Sequence, residues 1–232
     1  MKIHGYSQLT LLDYPEHLAC TVFCGHCNFR CPFCHNASLV LHADEQPVIP
    51  EDKIFEHLAK RKGMLEGVAI TGGEPTLHRD LPDFISRIKS KTGLAVKLDT
   101  NGTNPDMVES LINDKLIDYV AMDIKTSPAR YALAAGLKEL DMDSIFRSVE
   151  LLMNSGILYE FRTTVVDELH HDGDFHAIGE WIKGAQAYFL QCYKDSGDLI
   201  APAGLHAPSR EKLAHLRDIM LPNVPNTQIR GI

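Results

Sequence analysis

No stretch of this sequence approaches the roughly 20 consecutive apolar residues that a helix needs to span a bilayer. Its first residues, MKIHGYSQLTLLDYPEH, bring charges and a proline where a secretion signal needs an unbroken apolar run, so a cytoplasmic protein is expected and no membrane partner. Basic charge is not in excess either: 23 Lys and Arg face 31 Asp and Glu, a formal net charge of −8 spread along the chain. Such a field repels phosphate backbones, which makes nucleic acid a poor partner. Internal repeats, low-complexity tracts and linkers are lacking, so a single domain is expected over residues 1–232, with a core at about 18–220 and short extensions at both ends. Cysteine is scarce: there are six, and four fall between Cys24 and Cys34. They lie too close together to staple distant parts of the chain, and in a reducing compartment clustered thiols are more often metal ligands.

What is present is ordinary globular material, 44% apolar and 23% charged, enough at this length to bury roughly 70–75% of the unfolded surface. Short β-branched or apolar runs alternate with amphipathic segments, the pattern of βα units around a parallel sheet. The spacing predicts strands at Leu18–Cys24, Gly67–Thr71, Ala95–Thr100, Tyr119–Ile124, Tyr159–Val166 and Ala187–Cys192, and helices near 51–62, 80–91, 105–114, 141–155, 173–183 and 208–219. Leu81, Phe84, Ile85 and Ile88 keep one helical stripe, as do Ile145, Val149 and Leu152, with Asp143 or Ser144 as a candidate cap. Right-handed crossovers would roll these units into a partial (β/α)6 TIM-like barrel. The tail PNVPNTQIRGI is rich in turn formers and has no readable role. In such folds ligands gather at the carboxyl ends of the strands, and each chemically suggestive segment follows or ends a predicted strand.

The first strand runs into Cys24-Gly-His-Cys27-Asn-Phe-Arg-Cys31-Pro-Phe-Cys34-His-Asn. Cys27, Cys31 and Cys34 are spaced C-x3-C-x2-C, and three thiolates on a short loop can wrap one face of a cuboidal iron–sulfur cluster, leaving its fourth iron open. A zinc site is the competing reading, because Cys24-x2-Cys27 and Cys31-x2-Cys34 also supply four thiolates. Zinc ribbons, however, separate their ligand pairs by about 12–20 residues, and only Asn28, Phe29 and Arg30 intervene here. CNFRCPFCHN resembles the signature of the radical S-adenosylmethionine (SAM) superfamily, especially the activating enzymes of anaerobic ribonucleotide reductase and pyruvate formate-lyase. The resemblance implies a [4Fe-4S] cluster on Cys27, Cys31 and Cys34 that chelates SAM and cleaves it to a 5′-deoxyadenosyl radical, with Phe33 near the adenine. Cys24 and His26 depart from the family, which usually carries glycine or another non-ligand there. Cys20 and Cys192 read as small buried hydrophobes.

Thr71-Gly72-Gly73-Glu74-Pro75 follows the second predicted strand. Its glycines would let a ligand approach the backbone and its carboxylate could pair with an ammonium; the segment resembles the family's GGE motif, which receives the SAM amino group. The third strand ends in Lys97-Leu-Asp99-Thr100-Asn101-Gly102, which by itself reads as an ordinary Asn-Gly turn. The fourth ends in Met122-Asp123-Ile-Lys125, whose Asp and Lys share a face and would be costly to bury unpaired. The resemblance implies that these segments hold the SAM carboxylate, through Lys125, and the ribose, with a monovalent cation near Asp99, Thr100 and Asp123. Arg162 in YEFRTTVV is a SAM contact or half of a structural ion pair, and Gln191 is placed to meet the adenine. His170, His171 and His176 invite a metal reading, set against solvated turn histidines.

KLDTNG, MDIK and YEFRTTVV resemble the anaerobic ribonucleoside-triphosphate reductase activating proteins over most of the chain. The resemblance implies a glycyl-radical-enzyme activase that abstracts hydrogen from a backbone glycine of a partner protein, with an electron donor such as flavodoxin or ferredoxin. Two alternatives stand beside it: a radical SAM enzyme acting on a small molecule of the deazapurine type, and a zinc-stabilised binding module without catalysis.

Overall fold

The computed structural model describes residues 1–232. One eight-stranded sheet follows chain order: β1 (Ile3–Thr10), β2 (Ala19–Cys24), β3 (Gly67–Gly72), β4 (Ala95–Thr100), β5 (Tyr119–Asp123), β6 (Leu158–Val165), β7 (Tyr188–Cys192) and β8 (Thr227–Arg230). Strands β2 to β8 are parallel, while β1 runs antiparallel to β2. The helices are α1 (Ala37–Leu41), α2 (Glu51–Lys60), α3 (Leu81–Thr92), α4 (Pro105–Asn113), α5 (Tyr131–Ala134), α6 (Asp143–Asn154), α7 (Asp172–Trp181) and α8 (Arg210–Met220). The six expected strands are all present with ends moved by at most one residue. The α/β architecture read from the sequence is therefore the one found.

Alternation along β4 separates two environments. On β4, Val96 and Leu98 join the apolar core, where they meet the buried α3 stripe of Leu81, Phe84, Ile85 and Ile88. Lys97 and Asp99 occupy the alternate positions and face inward. The α6 residues Ile145, Val149 and Leu152 are likewise buried. That helix starts without a side-chain cap, however: Met142 holds the N-cap position, and Asp143 already lies in the first turn.

Two strands went unread in the sequence, and the sheet extends beyond the expected core of 18–220. β1 is an edge strand with a mixed, largely polar sequence of which only Ile3 is fully buried, so it carries no alternating signal. β8 is four residues long and lies in the turn-rich tail. It adds in parallel to β7, and its Arg230 makes a two-pronged pair with Glu160 of β6 at 2.7 and 2.9 Å. The same guanidinium lies 3.2 Å from the ring centre of Phe189, and the Tyr119 hydroxyl donates to Glu160 at 3.0 Å. Glu160 is 1% exposed, and Arg230 is its salt-bridge partner.

Arg230→Ala should therefore strand a buried carboxylate and lower stability by about 3 kcal/mol, the low end for breaking such a pair because Arg230 itself is partly exposed. At roughly 2–4 °C per kcal/mol for a chain of this size, thermal denaturation should shift by about 6–12 °C. Glu160→Gln in the same background should return part of the loss. An unchanged melting temperature in Arg230→Ala would show that β8 does not secure the sheet.

Candidate functional site

The cysteine loop leaves the end of β2 and is gripped from three sides. On the first, its entry lies against the end of β3: Gly73 N–H donates to Cys24 O at 2.9 Å and Glu74 N–H to His26 O at 2.8 Å. A Cβ on Gly73 would sit 1.8 Å from His26 O, and one on Gly72, whose φ is +110°, would sit 2.4 Å from Cys24 O. The paired glycines are thus needed for the loop's own backbone to dock, where the sequence suggested room for a ligand. On the second side, Arg30 N–H donates to Ala135 O at 2.8 Å, Gly136 passes so close that its Cβ would meet Arg30 O at 2.0 Å, and Phe29 packs edge-on against Tyr131. On the third, the segment after β7 straps the loop's exit. Ser196 Oγ lies 3.1 Å from His35 Nδ1, Ser38 Oγ donates to Asp198 at 2.9 Å, and Ala201 N–H donates to Pro32 O at 3.0 Å.

Above the carboxyl ends of the strands lies a cavity of about 380 Å³. Cys27, Cys31, Cys34, Phe33, Gly72, Gly73, Glu74, Asp99, Thr100, Asp123, Lys125, Arg162 and Gln191 all line it, so the residues expected to hold the cluster and SAM share one chamber, which His170, His171 and His176 do not join. Asp13, Asn36, Asn101 and Thr164 line it too and were missed. Asn36 and Asn101 stand inside the quoted motifs, CHN and KLDTNG, where the signal was available. Asp13 arrives from the loop after β1 and hydrogen-bonds Thr21, with nothing in the sequence to announce it.

The chamber's wall carries a chain of alternating charge. Lys97 Nζ reaches Asp99 at 2.5 Å, Arg162 bridges Asp99 at 2.9 Å and Asp123 at 2.5 Å, and Lys125 reaches Asp123 at 2.8 Å. Burial opposes ionisation of Asp99 and Asp123, but the charge of Arg162, joined by Lys97 at Asp99 and by Lys125 at Asp123, outweighs it and holds both carboxyls below the usual range. Burial likewise opposes the charged form of Lys125, and Asp123 overcomes it and raises the ammonium's pKa. Arg162, left open between a SAM contact and an ion pair, is at least the latter while lining the chamber.

Glu74 behaves differently. Its carboxylate has no cationic partner; burial pushes its pKa up against hydrogen bonds from Thr76 N–H (3.1 Å), Thr76 Oγ1 (2.6 Å), Thr100 Oγ1 (2.8 Å) and Asn101 N–H (2.6 Å). It ties the ends of β3 and β4 together, which the sequence reading of a carboxylate held ready for an ammonium did not foresee. The histidine reading also resolves: His170 is fully buried and bonded to the backbone of Lys125 and Val166, and His171 caps α7 with Asp174. These are structural duties. Cys20 is buried as expected, whereas Cys192 is half-buried.

The loop suits a cluster better than one ion. No three His, Cys, Asp or Glu side chains converge on a single-ion position, and Cys24 turns its thiol away to Thr71 O at 3.2 Å. A cuboidal cluster spreads three thiolates over separate iron corners, and the three loop thiols line one chamber. Burial pushes Cys27 up to about 11 and Cys31 up to about 12, so these thiols ionise on meeting a metal centre.

A parallel α/β sheet whose carboxyl mouth carries a three-thiol loop and a polar chamber defines a class of cofactor enzyme. The Radical SAM superfamily model matches residues 21–181, and the chain belongs to that superfamily: it is a radical SAM enzyme. Membership implies a [4Fe-4S] cluster and SAM. The chain is 32% identical over 235 residues, 99% of its length and 96% of the relative's, to a Methanocaldococcus jannaschii protein provisionally named a glycyl-radical enzyme activating enzyme. It is 26% identical to the pyruvate formate-lyase-activating enzyme of Clostridium pasteurianum, over 72% of this chain and 70% of that one. It spans about half the length, 46%, of a Helicobacter pylori GTP 3′,8-cyclase to which it is 25% identical. Its fold matches Streptococcus suis SuiB bound to precursor peptide SuiA with a TM-score of 0.70 at 16% identity, over 95% of this chain and 50% of that one. No helix is long and apolar enough to cross a membrane.

Gly73→Ala should push the loop entry off β3 and be seen as loss of bound iron and sulfide after anaerobic reconstitution. Gly173→Ala, where nothing lies within 4 Å, should load normally. Full iron loading in Gly73→Ala would mean that the loop does not need this close approach.

Proposed function

We propose that the chain, as a single radical SAM core domain, activates a glycyl-radical enzyme of the anaerobic ribonucleotide reductase type or a relative of it. The observation that carries this reading is the gathering of the thirteen sequence-selected residues around one chamber. The 32% identity over nearly the whole of both chains to a relative named for glycyl-radical enzyme activation supports the choice of reaction. Cys27, Cys31 and Cys34 would hold the cluster. When bound there, a [4Fe-4S] cluster supplies the electron that splits the SAM sulfonium and yields the 5′-deoxyadenosyl radical, which takes hydrogen from the partner's glycine.

The protein's own groups bind and orient. Lys125, aimed by Asp123, pairs with the SAM carboxylate, and Arg162 supports that aim from β6 through the same carboxylate. Because the Glu74 oxygens are engaged, the SAM amino group falls to the backbone of Gly72, Gly73 and Glu74. Asp99 and Thr100 serve the ribose, and Phe33 and Gln191 the adenine. All four oxygens of Asp99 and Asp123 already meet a cationic side chain, so a monovalent cation between them would share those oxygens with Lys97, Arg162 or Lys125. Flavodoxin or ferredoxin fits as the electron donor in the cytoplasm. The likeness to GTP 3′,8-cyclases favours a second reading, in which the same chemistry acts on a small molecule, but it covers only 63% of the chain.

The test is anaerobic reconstitution with iron, sulfide, SAM and a strong reductant, followed by measurement of 5′-deoxyadenosine. Ala at Cys27, Cys31 or Cys34 should abolish it, and Cys24→Ala should keep most of it; equal loss in all four would point to a four-thiolate site. Mixing with an anaerobic ribonucleotide reductase should give the doublet of a glycyl radical in electron paramagnetic resonance, and its absence with every glycyl-radical enzyme tried would favour a small substrate. Lys125→Ala should weaken SAM binding about 10–100-fold with iron content intact, the worth of one charged hydrogen bond. Unchanged affinity would move the carboxylate elsewhere.

A further inference from the structure

Among the three cluster-loop cysteines, Cys27 alone is reached by a side-chain N–H. Asn101 Nδ2 lies 3.8 Å from Cys27 Sγ, and the backbone N–H of Phe29 lies 3.3 Å from the same sulfur. The orientation of the Asn101 amide is settled by its other neighbours. Thr103 N–H, which can only donate, meets Asn101 Oδ1 at 3.0 Å, and Thr103 Oγ1 donates to the same oxygen at 2.7 Å. The amide nitrogen must therefore face the sulfur, where it also donates to Asn28 Oδ1 at 2.8 Å. Asn28 in turn donates to Thr103 Oγ1 at 2.9 Å, closing a ring of three side chains.

The ring cannot drift. Asn101 is 5% exposed, and its backbone N–H is held by the buried Glu74 carboxylate at 2.6 Å. Glu74 itself belongs to the segment whose backbone carries the loop entry. One rigid unit thus fixes a donor beside one cluster thiolate, across 74 residues of chain.

We propose that Asn101 is a positioning residue that tunes the reduction potential of the cluster by donating an N–H to the Cys27 thiolate. This rests on the reading of Cys27, Cys31 and Cys34 as cluster ligands. One electron from an external low-potential donor adds negative charge to the centre, part of which resides on the thiolate sulfurs. An N–H donor stabilises that added charge more than it stabilises the oxidised state, so it raises the potential and eases reduction. No bond forms or breaks in this step, and the electron is its only traffic.

The experiment uses reconstituted full-length protein, dithionite as the one-electron reductant and a redox titration followed by electron paramagnetic resonance, without SAM. Asn101→Leu removes the donor at similar volume, and its midpoint should move to a more negative value at wild-type iron content. Thr103→Val lies outside the chamber and frees the Asn101 amide from one of its three anchors; it should move the midpoint the same way by less. SAM affinity, measured separately, should hold within about threefold in Thr103→Val. An unmoved midpoint in Asn101→Leu overturns the proposal, as does a change in SAM affinity with the potential fixed. Should Asn101→Leu fail to load iron, Thr103→Val decides, and an unmoved midpoint there overturns it equally. Wild-type protein that gives no cluster signal at all would overturn the cluster reading first, and this proposal with it.

Discussion

The architecture hangs on a place where no side chain fits. The backbone of Gly72, Gly73 and Glu74 lies against that of Cys24 to His26 so closely that a single methyl group at either glycine would overlap a carbonyl oxygen. Two hydrogen bonds, from Gly73 and Glu74 to Cys24 and His26, convert that proximity into register. Everything chemical follows from it, because the cysteine loop is irregular and has no sheet or long helix of its own to hold it. His26 accepts a left-handed φ of 62° at this junction, a conformation that disfavours any residue with a Cβ. The strain sits where the chain turns from strand into ligand loop and is over-determined by the contacts around it.

Once the loop is placed, the barrel interior must carry charge without being destabilised by it. Lys97, Asp99, Arg162, Asp123 and Lys125 alternate in sign along one chain of contacts, so each carboxylate has two cationic neighbours. Removing Asp99 would leave Lys97 buried and uncompensated, and removing Asp123 would do the same to Lys125, which costs far more than an exposed pair is worth. The arrangement suits a binding site better than a core: it fixes rotamers in advance and holds donors at defined distances, so that a ligand meets an ordered wall. The lower pair, Glu160 with Arg230, applies the same logic beneath it and recruits the C-terminal strand.

Short apolar runs made β2 to β7 legible, because these strands are buried on both faces. A 3.6-residue period did the same for the six longer helices, each of which buries one face. The α3 stripe is the clearest case. β1 was illegible because a mixed, largely polar edge strand has no buried face to advertise, and β8 because four residues after two prolines cannot display a period. The site followed the same division. Residues whose type is unusual for their place, such as Asp123 and Arg162 on inner strands and Lys125 just after one, could be found from sequence. Residues that work through geometry could not: Asn101 looks like any Asn-Gly turn until Thr103 and Cys27 are seen on either side of its amide, and Glu74 looked free until its four hydrogen bonds were counted. The strap after β7 left no trace at all, since Ser196, Asp198 and Ala201 are ordinary loop residues.

The balance of charge in the chamber argues for the chemistry of its guest. Four carboxylates line it, Asp13, Glu74, Asp99 and Asp123, against Lys125 and Arg162, with Lys97 behind them in the wall as a third cation paired to Asp99. SAM carries a sulfonium and an ammonium against one carboxylate, so its net charge is positive, and in the proposed pose its single negative group is the one that meets Lys125. A field of this sign concentrates a cationic ligand while one fixed ammonium selects its orientation. The Glu74 side chain is kept in the wall by its four hydrogen bonds; a carboxylate free to swing would instead compete with a ligand carboxylate for the same lysine.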